Sequence, residues 1–215
     1  LLARLEVTAV DWLGTSMGGL IGMSLAALPG SPVRRLAVND VGPFLPKAAL
    51  IRIAGYLGKE PLWPNLAAAE RHYRAVYAGF GPLSDAEWRR FTAQSVRPQA
   101  EGGYRAAYDP AIAEAFRAAP LEDVELWPLW DAITCPALVL RGAQSDLLLA
   151  DTAWEMTRRG PHAELVEIAN CGHAPALLHE AELRPLLAWL GTAERPRGRL
   201  SAAAQPLRGG DGEVG

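Results

Sequence analysis

One short segment has residue types in an order that could do covalent chemistry: Gly14-Thr15-Ser16-Met17-Gly18-Gly19. It has the form Gly-x-Ser-x-Gly. An apolar run rich in β-formers, Val7 to Leu13, leads into it, and a run of helical composition, Met17 to Leu28, leads out and stops at Pro29-Gly30. A serine on a tight strand-to-helix turn projects from the backbone toward a substrate. The flanking glycines are expected because such a turn leaves no room for side chains. The helix N-terminus beyond it favours developing negative charge, and the backbone N–H of Met17 is the candidate oxyanion donor.

A serine alcohol needs a base that titrates near neutrality, which means histidine. Of four histidines, His72 falls in a helical stretch, His162 follows Pro161, and His179 sits in the last helix. His173, in Asn170-Cys171-Gly172-His173-Ala174-Pro175, lies just past an apolar run, at the carboxyl end of a strand, where sites form in open α/β sheets. It is the expected base. The third member should be an acid that orients the imidazole. Asp146, in Arg141-Gly142-Ala143-Gln144-Ser145-Asp146, stands at another such strand end and is the expected acid. Asp40 at the end of the second apolar run is the alternative, and Asp151, inside the following helix, a weaker third.

The elements that must hold these residues are legible as short apolar runs bounded by turn residues: Val7 to Leu13, Val33 to Val38, Ala137 to Leu140 and Leu165 to Ala169. Runs apolar on nearly every position suit strands buried on both faces of a parallel sheet. Helical stretches, Leu147 to Arg159 and Ala176 to Leu190, follow the last two, completing an α/β alternation. From 44 to 130 helical segments and Pro/Gly breaks replace strands. All five Tyr, all four Phe and four of seven Trp lie there, which reads as an inserted helical unit with its own packing. Some of these aromatics are candidates to line an apolar substrate pocket: Tyr56, Trp63, Tyr73, Tyr77, Trp127 and Trp130. The expected division is 1–43 for the core sheet with the serine turn and 44–130 for the helical lid or cap. The core then resumes over 131–191 with the Asp and His loops, and 192–215 forms a loose tail rich in Arg, Ala, Gly and Pro.

Composition narrows the function classes. The chain has 215 residues, half of them hydrophobic, with 21 basic and 24 acidic side chains and a net charge of −3. There is no overall basic field for nucleic acid and no apolar stretch long enough to span a bilayer. Neither signal-peptide pattern nor membrane segment is seen, so a cytoplasmic location is expected. Cys135 and Cys171 match no metal spacing and read as small packing residues. No metal or other cofactor is expected, and no phosphate-binding loop occurs, since Gly14 to Gly19 lacks its lysine.

These residues together resemble an α/β-hydrolase of the bacterial serine-hydrolase type with a helical lid. The resemblance rests on Gly14 to Gly19, Val38-Asn39-Asp40-Val41-Gly42-Pro43, Trp130-Asp131-Ala132-Ile133 with Cys135-Pro136, Arg141 to Asp146, and Gly172-His173. It covers roughly residues 1 to 191, and the order Ser16, Asp146, His173 is that family's order. The expected fold is α/β: a partial α/β-hydrolase fold, four strands of its mostly parallel sheet retained, with helices on both faces and a helical lid insertion. In the family the nucleophile follows the fifth strand, whereas here it follows the first. The expectation is therefore a partial reading of a longer chain, with the preceding strands and the second oxyanion donor outside it. Losing one such donor typically costs about 10²–10³ in kcat.

The resemblance implies hydrolysis of a small apolar carboxylic ester or related acyl compound through an acyl-enzyme. Carbon–carbon bond hydrolases, aminopeptidases, cofactor-free haloperoxidases and acyltransferases share the layout. A non-catalytic binding protein that kept the fold is the alternative of another class.

Overall fold

The computed structural model describes residues 2–59, 61–118 and 120–191. The expected loose tail, 192–215, lies outside the described residues. After a four-residue helix α1 (Leu2–Leu5), strand β1 (Val10–Thr15) runs into helix α2 (Met17–Ala26), followed by β2 (Val33–Asn39). The segment beyond holds β3 (Phe44–Leu45), α3 (Lys47–Tyr56), α4 (Leu66–Val76), α5 (Asp85–Ser95), β4 (Val96–Pro98), β5 (Tyr104–Ala106), β6 (Val124–Glu125) and α6 (Trp127–Asp131). The chain then returns through β7 (Ala137–Gly142), α7 (Ala150–Met156), β8 (Glu164–Ile168) and α8 (Glu180–Gly191).

β1, β2, β7 and β8 form one sheet in that order, and every pair is parallel. The two-residue side-chain period explains its two cores. Leu36 and Val38 of β2 and Ala137 and Val139 of β7 join Met23, Ala26, Trp130, Ala153 and Met156 on one face. The alternating residues Ala37, Leu138 and Leu140 join Ile168, Leu186 and Trp189 on the other. Thus α2, α6 and α7 cover one face and α8 the other. β7, central and buried at all six positions, is the strand that reads as a continuous apolar run in the sequence. β1 sits at the sheet edge, and its residues alternate between more and less exposed, with Leu13 46% exposed.

The segment between β2 and β7 departs from an all-helical expectation. β3 pairs antiparallel with β6, and β4 with β5. These strands have two or three residues each, too short for alternation to register in the sequence, and β3 meets its partner only through long-range pairing. The helices begin as the sequence chemistry dictates: Asn65 accepts from Ala68 N–H at 2.9 Å, and Ser84 with Glu87 forms a reciprocal capping box at α5. Trp63, Ala69, Tyr73, Trp88 and Ala106 make a separate apolar cluster inside this segment.

Candidate active site

The site is assembled at the carboxyl ends of β1, β2 and β7 and in the loop after β8. Ser16 is the residue between β1 and α2, held at φ 51° and ψ −119°. A non-glycine residue persists in such a conformation only where its surroundings over-determine it. Here Ser16 N–H donates to the Asn39 carbonyl at 3.0 Å, and Trp12 Nε1–H donates to the Gly18 carbonyl at 3.0 Å. A Cβ on Gly14 would fall 2.2 Å from the Gly18 carbonyl oxygen, and one on Gly19 would fall 2.4 Å from Val41 Cγ1. Gly18 is different: a Cβ there would meet nothing within 4 Å, so the expected steric need for glycine on both flanks holds at Gly14 and not at Gly18. Helix α2 starts at Met17 with no side-chain cap, which leaves its dipole aimed at the Ser16 turn.

His173 Nε2 lies 3.0 Å from Ser16 Oγ, and its Nδ1 lies 2.8 Å from Asp40 Oδ2. A carboxylate only accepts, so Nδ1 carries the proton and Nε2 is left to accept from the serine hydroxyl. Asp40 is fully buried. Its Oδ1 accepts the Gly142 N–H at 2.7 Å, and its Oδ2 also accepts the Ser145 hydroxyl at 2.5 Å. Three donors compensate the cost of burying the charge.

The structure thus places Asp40, the alternative, against His173, and it corrects the expectation for Asp146. That residue's side chain is 51% exposed and forms a bidentate pair with Arg52 of α3, Nε to Oδ2 at 2.6 Å and Nη2 to Oδ1 at 2.8 Å. The turn after β7 points Ser145 inward and Asp146 outward. Asp151 is exposed in the first turn of α7.

The His173 loop is held by close backbone approaches. A Cβ on Gly142 would fall 2.3 Å from the Gly172 carbonyl oxygen, and Gln144 N–H donates to the Cys171 carbonyl at 2.8 Å. From the inserted segment, Gly79 accepts the Gly172 N–H at 2.7 Å. Asn39 adds a tie that no sequence motif announces: its Nδ2 donates to Thr15 Oγ1 at 3.1 Å and to the Pro175 carbonyl at 2.9 Å, linking the serine turn to the histidine loop. Asn39-Asp40 carries a turn signal in the sequence, and an amide next to the acid is the one clue it offers. Of the other histidines, His72 packs against the Trp63 ring and His179 pairs with Glu87 and Glu182. Burial foremost pushes the Cys171 thiol up to about 11, which keeps it protonated.

A cavity of about 370 Å³ opens on Ser16 and His173. Its walls come from α2 and β3 (Leu20, Leu45), from α3 (Leu50, Ile53, Tyr56), and from Ile112, Phe116 and Leu147. Among the described residues, no Asp, Glu, Lys or Arg lines it. Of the six aromatic candidates, Tyr56 and Tyr77 line this cavity. The other four do not, because other packing claims them. Trp63 and Tyr73 are buried in the inserted segment's own cluster, and Trp130 is fully buried in the main core. Trp127 packs on the main core, with the Arg159 guanidinium 4.5 Å from its ring.

A sequence profile described as the alpha/beta hydrolase family matches residues 1–186. The chain belongs to the alpha/beta hydrolase family. A family relative, the 3-hydroxybutyrate-oligomer hydrolase of Cupriavidus necator, is 44% identical over 191 residues, which is 85% of this chain and 65% of the relative. A crystal structure of a Rickettsia typhi protein superposes with a TM-score of 0.82 at 37% identity, covering 90% of this chain and 66% of that one. An alpha/beta hydrolase from Novosphingobium aromaticivorans gives 0.77 at 35% identity, covering 88% of this chain and 68% of that one. The chain therefore spans slightly under two thirds of the length of the first of these relatives. The four-stranded parallel sheet with helices on both faces is the corresponding part of the alpha/beta hydrolase fold.

Proposed function

We propose that these residues carry the catalytic centre of a carboxylic ester hydrolase working through Ser16, His173 and Asp40. The observation that carries this reading is the unbroken line from Ser16 Oγ through His173 to buried Asp40, open to an apolar cavity. Ser16 Oγ attacks the ester carbonyl carbon while its proton passes to His173 Nε2. Asp40 holds the imidazole in the tautomer that can accept it and stabilises the imidazolium. The oxyanion forms at the start of α2, with the Met17 N–H as its donor. The C–O bond breaks, and His173 returns the proton to the departing alcohol. Water then attacks the acyl-enzyme, losing its proton to the same nitrogen, which frees the acid and restores Ser16.

The cavity's largely apolar lining favours a neutral, largely apolar acyl group, and segment 44–130, which supplies much of the wall, acts as a lid. The Cupriavidus relative acts on 3-hydroxybutyrate oligomers by its name, and a short oligoester of hydroxy acids has the ester bond and modest size that this site could take. The test uses the full-length protein. It is expected to hydrolyse 3-hydroxybutyrate oligomers and short p-nitrophenyl esters, and to be labelled by a fluorophosphonate that Ser16→Ala no longer takes. Undiminished labelling of Ser16→Ala, or no ester turnover by the parent protein, would overturn the reading.

A further inference from the structure

Ser145 occupies an unusual position for a residue next to the expected acid. It is 6% exposed, and its hydroxyl meets three partners, two in the turn after β7 and one, Asp40, at the end of β2. The Leu147 and Leu148 N–H groups donate to Oγ at 3.2 and 3.1 Å. A hydroxyl has one proton and two lone pairs, and with both lone pairs occupied its proton is directed at Asp40 Oδ2, 2.5 Å away. That is the same carboxylate oxygen that faces His173 Nδ1 at 2.8 Å. Gly142 N–H holds the other oxygen, so the carboxylate can neither rotate nor retreat.

We infer that Ser145 is a positioning residue that sets both the orientation of Asp40 and the share of its charge presented to His173. The inference rests on the triad reading above. Two strand ends converge here. Asp40 supplies the carboxylate from the end of β2, and the turn after β7 supplies the donors that fix it. Leu147, two residues on, lines the cavity, so the turn that orients the acid also builds a wall of the substrate site. A hydrogen bond from Ser145 withdraws charge from Oδ2. Without it, Oδ2 faces the imidazole with more of its charge, and the imidazolium is favoured up to higher pH.

The experiment measures kcat and KM for a short p-nitrophenyl ester from about pH 5 to 9 on the full-length protein. The variants are Ser145→Ala, the near-isosteric weak donor Ser145→Cys, and Ser16→Ala, with active sites counted by fluorophosphonate. For Ser145→Ala, kcat is expected to fall about tenfold with KM nearly unchanged, and the acidic limb of kcat/KM to move up by about half a pH unit or more. Ser145→Cys moves the limb in the same direction by less, and it carries the test alone if the alanine variant does not fold. A limb that stays in place or moves down overturns the inference, whatever happens to kcat, since a merely structural residue would lower the count of active sites without moving it. If Ser16→Ala keeps parental turnover, the triad reading itself fails. If it is inactive while the Ser145 limb is static, the assignment of Ser145 alone fails. An inactive parent protein overturns both.

Discussion

Two loops at neighbouring strand ends each offer an aspartate, and they treat it in opposite ways. At the end of β2, Asp40 is fully buried and accepts from Gly142 N–H, the Ser145 hydroxyl and His173. In the turn after β7, Asp146 is half exposed and engaged by the Arg52 guanidinium of α3. The residue type is the same, and both sit where an active site can form. What separates them is surroundings: a carboxylate can organise an imidazole only when its charge is desolvated, satisfied by fixed donors and aimed at the ring. An exposed pair such as Arg52–Asp146 is screened and contributes little, about 0–1 kcal/mol. Its place is to tie α3, and with it one wall of the cavity, to the turn after β7.

The largest test of this contrast is to neutralise each acid in turn. Asp40→Asn is expected to lower kcat on a short p-nitrophenyl ester by about 10⁴-fold, because the amide leaves His173 in the wrong tautomer. Asp146→Asn is expected to stay within about tenfold of the parent, its change confined to KM and stability. Steady-state kinetics at matched active-site concentration decides, and the reverse ranking would exchange the roles of the two loops.

A second test concerns the glycines of the serine turn. Gly14→Ala drives a methyl into the Gly18 carbonyl and is expected to cost about 1–3 kcal/mol or more of stability with loss of fluorophosphonate labelling. Gly18→Ala meets open space and is expected to be neutral or to stabilise α2 by up to about 1 kcal/mol. Thermal melts and labelling rates check both.

The smallest effect belongs to a pair far from the chemistry. His179 sits between Glu87 of α5 and Glu182 of α8, at 2.9 and 3.4 Å. Its hydrogen bond to Glu87, opposed by burial, raises it above its ordinary value of 6.5. Glu87 is lowered from 4.5, first by its bond with the Ser84 hydroxyl and only later by His179. A raised histidine contributes fully below its unfolded value and loses that contribution as pH climbs through the folded one. A lowered carboxylate contributes above its unfolded value and loses it on acidification. His179→Gln should therefore lower the melting temperature most between the ordinary values of Glu87 and His179, 4.5 and 6.5, and converge on the parent as pH rises through the raised folded value of His179. A gap independent of pH would mean that packing, and not the charge pair, joins α5 to α8.

Much of the part that carries the candidate site is legible in the order of residues alone. Gly-x-Ser-x-Gly between a β-rich run and a helical run locates Ser16, because an elbow is a local event with a local composition. The buried strand β7 and the second half of β2, from Leu36, announce themselves as apolar runs since helices cover both faces of the sheet. His173 follows from its place just beyond such a run. The inserted segment is less legible. Its helices show in the sequence, but its two- and three-residue strands do not, and aromatic content cannot tell cavity wall from core. Trp130 and Tyr73 are buried in cores and do not reach the cavity, while Tyr56, Tyr77 and Phe116 line it.

The sequence by itself determined the chemistry available: one elbow serine, one strand-end histidine, and acids at two strand ends. Only the tertiary structure decided which acid meets the histidine. The direction in which Asp40 and Asp146 point depends on strand register and on one inward step, Ser145, in the turn after β7. The donors that make Asp40 the partner, Gly142 and Ser145, stand 102 and 105 residues away along the chain. No local pattern encodes a contact across that separation, because burial and satisfaction of a charge belong to the assembled fold.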